Sequence, residues 1–259
     1  MRFDTALFEL EGVLADTHAL RRAALVRSLA DDGVALTEEA YDARCTGVPV
    51  REAALAAVTA IAGDGQRFDE TALDLIALRA ERYFQEQLGK GVSLAPGARA
   101  LLEDLGGRVR LGIVTRASRR DVDFVVGLAG LDGLFECLIA AEDVRVPKPA
   151  PEPYQRAFDR MARRRPARPA ATLAFEDAPS GILAARALKL RCVAVGAMPA
   201  FHAVEADAYL PSLVGQSLAT LNDLLAPERR ERSGARAARG GATDTAGVAP
   251  AHDAESESP

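Results

Sequence analysis

Two carboxylates on alternate residues, Glu9 and Glu11, stand where an apolar run gives out, in Leu7-Phe8-Glu9-Leu10-Glu11-Gly12-Val13-Leu14-Ala15-Asp16-Thr17. Acids this close repel each other unless a cation or a proton lies between them. The pair therefore points to a bound metal or to acid–base chemistry. Three more places have a similar character. Ile113-Val114-Thr115 is an apolar run closed by a hydroxyl, with Arg116 next to it. Pro147-Lys148-Pro149 sets one ammonium in a rigid turn, and Glu176-Asp177 closes a further apolar run with two acids. Singly, each has an ordinary explanation: a strand end, a solvated surface lysine, or a cap for the helix starting near Pro179. All four in this order, each at or just after a strand end, are much harder to explain by chance. In an open α/β sheet the C-terminal ends of the strands are where ligands bind.

The elements that must position these residues are legible in the apolar pattern. Thr5 to Leu10 reads as a short buried strand. From about His18 to Leu88 the pattern is helical throughout. Ala19, Ala23, Val26 and Ala30 recur at helical spacing, Pro49 stands at a plausible first helical position, and Leu73, Ile76, Ala77, Ala80, Phe84 and Leu88 form one apolar stripe. Alternation then begins. A helix over 98–105 leads to a strand over 111–115, and a helix from about 119 to 129 to a short strand over 137–140. A helix over 153–161 precedes a strand over 172–175, and a helix over 182–188 a strand over 192–195. Strands alternating with helices imply a parallel sheet covered on both faces. The expected fold is α/β, a Rossmann-like core with a small all-helical cap inserted after the first strand. The boundaries are 1–16 and 91–226 for the core, 17–90 for the cap and 227–259 for a tail.

Composition narrows the function. The chain has 259 residues, 49% hydrophobic but 5% aromatic and without Trp, so its core is built of Ala, Leu and Val. A net charge of −5 gives no global basic bias towards nucleic acid. Arg163-Arg164-Arg165-Pro166-Ala167-Arg168 reads as a solvated helix end and loop. Cys45, Cys137 and Cys192 are scattered and odd in number, which suits buried thiols in a reducing cytosol. No apolar run is long enough to span a bilayer. A cytoplasmic protein is expected, a monomer or weak homodimer, without nucleic-acid or membrane partners.

The opening stretch resembles the first motif of the haloacid dehalogenase superfamily, hydrophobic-Phe-Asp-x-Asp-Gly-(Thr/Val)-Leu-x-Asp-(Ser/Thr). Leu111 to Thr115 resembles the second motif, Val146-Pro147-Lys148-Pro149-Ala150-Pro151 the third, and Phe175-Glu176-Asp177-Ala178-Pro179-Ser180-Gly181-Ile182 the fourth. Thr46-Gly47-Val48-Pro49-Val50-Arg51 looks like the cap turn of the β-phosphoglucomutase-like subgroup. The resemblance covers roughly residues 3 to 225 and implies a Mg²⁺-dependent phosphatase of a small phosphorylated metabolite, a sugar phosphate. By that resemblance Glu9 attacks phosphorus, and Glu11 protonates the leaving oxygen and later activates water. Thr115 and Lys148 hold the phosphoryl group. The metal lies on Glu9, the backbone carbonyl of Glu11 and Asp177, with Glu176 in support. Arg51 and Arg116 are candidate substrate contacts. Where many relatives carry a cap histidine this chain has Arg21, and His18 reads as a surface or hinge residue.

The departure from the family lies at the two motif-one acids, both Glu where the family has Asp. Each added methylene moves a carboxylate by on the order of 1.5 Å, and misplacement by roughly 1 Å can cost about 10²-fold in rate. Both changes keep the charge, which favours a remodelled, cation-binding site. Two other readings remain open: a catalytically silent binder of phosphometabolites, and a sugar phosphomutase that returns the phosphate to a sugar instead of to water. From Pro227 onward aromatics are absent and aliphatics sparse, and such a composition does not offset the entropy of ordering. Deleting residues 228–259 is expected to leave the melting temperature nearly unchanged, as calorimetry of the truncated and full-length chains will show.

Overall fold

The fold is described from a computed structural model covering residues 3–45, 48–61, 68–196 and 203–226. Thr46 and Gly47 of the cap turn and the tail from residue 227 lie outside the described residues. The centre of the fold is a six-stranded sheet. Its strands are β1 (Thr5–Phe8), β2 (Arg110–Val114), β3 (Cys137–Ile139), β4 (Thr172–Glu176), β5 (Arg191–Val195) and β6 (Ala208–Leu210). They lie in the order β3-β2-β1-β4-β5-β6, and every neighbouring pair is parallel. The chain therefore starts in the middle, works outward through β2 and β3, and crosses back to the other side of β1. The switch point lies between β1 and β4, where such sheets open a crevice at their C-terminal edge. Phe8 pairs with Phe175 in register. Glu9 and Glu176, the next residue on each chain, are thereby delivered side by side to that edge.

Both faces of the sheet are buried, as a parallel sheet requires. Phe8, Ile113, Phe175 and Val193 face one layer; Leu7, Val114, Ala174 and Ala194 face the other. The first face is covered by α5 (Ala98–Leu105), α6 (Arg119–Leu128) and α9 (Leu218–Leu224). The second is covered by α7 (Glu152–Ala162) and α8 (Pro179–Ala187). The insert between β1 and α5 is helical: α1 (His18–Ala30), α2 (Glu38–Arg44), α3 (Val50–Ile61) and α4 (Glu70–Leu88). It has its own apolar centre around Leu25, Leu29, Tyr41, Ala54, Leu73 and Ile76.

Several element ends differ from the sequence reading, for local reasons. The first strand ends at Phe8 instead of Leu10. After Glu9 the chain folds into a tight loop, with the Leu14 and Ala15 N–H groups both donating to the Leu10 carbonyl. The helix expected from Ile182 begins at Pro179, whose fixed φ and missing N–H suit a first helical position. Pro49 precedes the helix instead of opening it; its carbonyl accepts the first helical N–H, from Ala53 at 2.9 Å. β6 and α9 were not anticipated.

The Phe8 and Phe175 rings stack 4.5 Å apart and 4° from parallel, fully buried, directly beneath the two acids. Phe175→Ala is expected to cost about 3–5 kcal/mol, read as a lowered urea midpoint.

Candidate active site

Glu9 follows β1 directly, and its N–H still donates to the Phe175 carbonyl at 3.0 Å. That bond fixes the start of the side chain against β4. Its carboxylate is 5% exposed and has both oxygens engaged. Oε1 accepts from the Thr115 hydroxyl and from the Leu10 N–H, and Oε2 accepts from the Lys148 ammonium at 2.7 Å. Thr115 directly follows β2, its N–H donating to the Ile139 carbonyl and its hydroxyl accepting from the Ala117 N–H at 3.1 Å.

Lys148 arrives on the loop between β3 and α7, and two acids shape that loop. Glu152 accepts the Arg145 and Val146 N–H groups at 3.1 and 2.9 Å. Asp143 accepts the Ala140 N–H at 2.8 Å and pairs with Arg119 of α6 and Arg160 of α7. So held, the Lys148 ammonium also reaches the Val114 carbonyl at 2.7 Å and Glu176 Oε1 at 2.5 Å. The Tyr154 hydroxyl of α7 donates to the same Glu176 oxygen. Two glycines make room for this crowding. A Cβ on Gly181 would overlap the Glu176 carboxylate, and one on Gly12, at φ +76°, would strike Asp177 and His18.

Glu9, Glu176 and Asp177 each place a carboxylate oxygen within 4.8 Å of the others, in an arrangement able to hold a divalent cation. Electrostatics support that fit. Burial, with Glu9 adding to it, pushes the Glu176 carboxyl up to about 7 against the pull of Lys148 and Tyr154. Burial, followed by Glu9 and Glu176, holds the Asp177 carboxyl well above its ordinary range. Burial opposes the charge on Lys148, but Glu176 and Glu9 outweigh it and raise the ammonium. Three acids around one ammonium leave a deficit of positive charge, which an oxygen-preferring cation would fill.

Glu11 lies apart from this cluster. Its carboxylate is clasped by Arg21 of α1, Nη2 to Oε1 at 2.6 Å and Nε to Oε2 at 3.2 Å. The same guanidinium pairs with Glu81 of α4 at 2.7 Å and lies 3.5 Å over the Phe84 ring. Arg51 is drawn to the α4 acids Glu70 and Asp74, and is not among the described residues that line the cleft. Arg116 does line it and lies close enough to favour charge on Asp177. The cleft, about 560 Å³, runs between cap and core with Glu9, Thr115, Lys148 and Asp177 in its wall.

Two contacts were not anticipated. His18 Nε2 lies 3.5 Å from Asp177 Oδ2, where a hinge or surface residue was expected. Tyr154 falls in the helix expected over 153–161, where its hydroxyl contact to Glu176 was not foreseen. A tyrosine on an apolar helix face is itself a signal, because a buried hydroxyl needs a partner.

A family model described as haloacid dehalogenase-like hydrolase matches residues 6–195. A validoxylamine A 7'-phosphate phosphatase of Streptomyces hygroscopicus subsp. limoneus is 32% identical, over 82% of this chain and 94% of its own. A phosphorylated carbohydrates phosphatase of Thermotoga maritima is 27% identical, over 71% of this chain and 80% of its own. The crystal structure of β-phosphoglucomutase from Clostridium difficile superposes with a TM-score of 0.69 at 18% identity, covering 86% of this chain and 97% of that one. At that identity the likeness speaks for the fold.

The raised Glu176 carboxyl makes a testable link to stability. The folded chain keeps its proton up to about pH 7, whereas the unfolded chain releases it near 4.5. Between those values the folded state binds more protons, so this group lowers stability as pH rises. In EDTA, urea midpoints of the wild type should fall between about pH 5 and about pH 8, and Glu176→Gln should show a shallower fall.

Proposed function

The chain belongs to the haloacid dehalogenase-like hydrolase family, and we propose that it is a Mg²⁺-dependent phosphatase of a small phosphorylated metabolite, a sugar phosphate. The observation that carries this reading is the convergence of Glu9, Thr115, Lys148, Glu176 and Asp177 at the C-terminal edge of β1, β2 and β4. The sugar is supported by the name of the Thermotoga maritima relative. In this reading residues 1–16 and 91–226 form the catalytic unit and 17–90 the cap over it. The protein acts in the cytoplasm as a monomer or weak homodimer, without nucleic-acid partners. No described helix is long and apolar enough to cross a membrane.

Glu9 is the nucleophile. The Thr115 hydroxyl and the Lys148 ammonium hold its two oxygens, which fixes its direction before the substrate arrives. One carboxylate oxygen attacks phosphorus, the bond to the ester oxygen breaks, and an acyl-phosphate forms on Glu9. Lys148 and Thr115, with Arg116 beside them, balance the charge on the phosphoryl oxygens. Glu11 is the acid that protonates the departing oxygen, and then the base that takes a proton from the water cleaving the acyl-phosphate. To serve it must turn from Arg21 towards the core. Glu9, Asp177 and Glu176 are the side chains that would hold Mg²⁺, with the Glu11 carbonyl. When bound, the ion supplies neutralisation of phosphoryl charge.

The test is phosphate release from a panel of sugar phosphates with and without Mg²⁺. Glu9→Gln should lower turnover by roughly 10⁴-fold or more. Glu9→Asp withdraws the carboxylate from a position already fitted by Thr115 and Lys148, and should cost about 10²-fold. Acid quenching should trap phosphate on Glu9 of the wild type. Release at background on every ester would favour the silent binder.

A further inference from the structure

The two ends of the cleft differ in charge. At the core end stand Lys148, Arg116 and Arg145. The cap's side of the lining is largely apolar, with Leu25, Tyr41, Cys45, Val48, Val50 and Ala53, and Thr17, His18, Arg21 and Glu81 are its polar members. Among the described lining residues the cap contributes one arginine, Arg21, and Glu81 still neutralises that guanidinium when Glu11 turns to the core. Other cap arginines are committed elsewhere: Arg51 to Glu70 and Asp74, Arg22 to Glu38 and Asp42. A phosphate group carries a charge of about −1.5 to −2. Placed against the apolar members of this wall it would lose hydration without gaining an arginine or lysine of its own among the described residues, and Glu81 in the same lining would repel it. Tyr41 is buried in the same wall. It offers a substrate one neutral donor and an aromatic surface.

We infer that the cleft takes substrates bearing a single phosphate on an uncharged body, with an apolar face of that body turned to the cap. Bisphosphates are excluded, and with them phosphomutase chemistry. A mutase passes the phosphoryl group from Glu9 to a hydroxyl of a sugar monophosphate. The hydroxyl proton leaves to a base, and a bisphosphate forms that must be held at both ends. Here the second end meets an apolar wall. The acyl-phosphate is then left to water. This rests on the phosphatase reading given above and narrows its substrate.

The test compares phenyl phosphate, glucose 6-phosphate and glucose 1,6-bisphosphate as substrates of the full chain with Mg²⁺. Both monoesters should exceed the bisphosphate at least tenfold in kcat/KM, and glucose 1-phosphate should yield phosphate and glucose without glucose 6-phosphate. Val48→Arg places a cation on an exposed part of the wall. It should raise kcat/KM for the bisphosphate severalfold relative to that for phenyl phosphate. Phosphate release with the bisphosphate preferred overturns the inference and leaves the phosphatase reading standing, whereas isomerisation of glucose 1-phosphate overturns both in favour of the mutase. Absence of turnover on every ester overturns the phosphatase reading. Calorimetric titration of phenylphosphonate and glucose 1,6-bisphosphate into the wild type then decides the inference. Tighter binding of phenylphosphonate supports it, and tighter binding of the bisphosphate sinks it. Should Val48→Arg not fold, the wild-type ratios decide alone.

Discussion

One buried ammonium holds the site together. Lys148 stands between Glu9 and Glu176 with the Val114 carbonyl as its third acceptor, so all its donors are used. Two carboxylates side by side at the ends of adjacent strands would otherwise repel, and the register that stacks Phe8 on Phe175 leaves them no room to part. Removing one member of such a buried pair costs about 3–5 kcal/mol, because the rest is left uncompensated. The surrounding structure follows from that constraint. The loop that carries Lys148 is held at two points, by Asp143 and Glu152. Gly181 yields space to Glu176, and Tyr154 satisfies the oxygen that Lys148 shares. Asp177 is left with too little positive charge around it, and that shortage leaves the cluster able to hold a cation.

The added methylenes of Glu9 and Glu11 have different consequences. At position 9 the longer side chain remains inside the network, bonded to Thr115 and Lys148, so the change is absorbed where it arises. At position 11 the carboxylate stays out of the acid cluster and meets Arg21 with both oxygens. An aspartate there would be shorter by on the order of 1.5 Å, so the bidentate pair needs either the glutamate or a shift of the cap. Arg21 and Glu11 are therefore two halves of one contact.

The architecture was legible because a parallel sheet buried on both faces writes apolar runs, and the helices between them keep their own period. Ala98–Leu105 coincides in sequence and structure. What escaped was weakly patterned. β6 is three residues with Tyr209 exposed, and in α9 only Leu221 is counted as buried within the helix. At the site, Glu9, Thr115, Lys148, Glu176 and Asp177 were legible because each ends or follows a strand, and strand ends converge. Arg51 had no such constraint. Its partners Glu70 and Asp74 sit on another helix, and nothing local announces that pairing. His18 and Tyr154 reach the acids only through the packing of α1 and α7, which no local pattern encodes.

The cap contact also bears on how the site opens. The two chain segments that join cap and core are paired with each other: Asp16 N–H to the Ser93 carbonyl at 3.0 Å, Ala95 N–H to the Leu14 carbonyl at 2.9 Å, and an antiparallel bridge between Ala15 and Leu94. They form one hinge. Glu11 belongs to the loop at its root, where the Gly12 N–H closes on the Ala15 carbonyl at 2.8 Å. Arg21 sits about one turn into the first cap helix, so rotation about the hinge moves Arg21 while Glu11 stays with the core. Each partner of the pair is about a quarter exposed, 24% and 25%. Such a pair contributes on the order of 1 kcal/mol, small against the conformational steps that gate many enzymes. In the proposed mechanism Glu11 would leave the cap arginine for the phosphoryl site, and a substrate that draws the carboxylate there must also loosen the cap from its root.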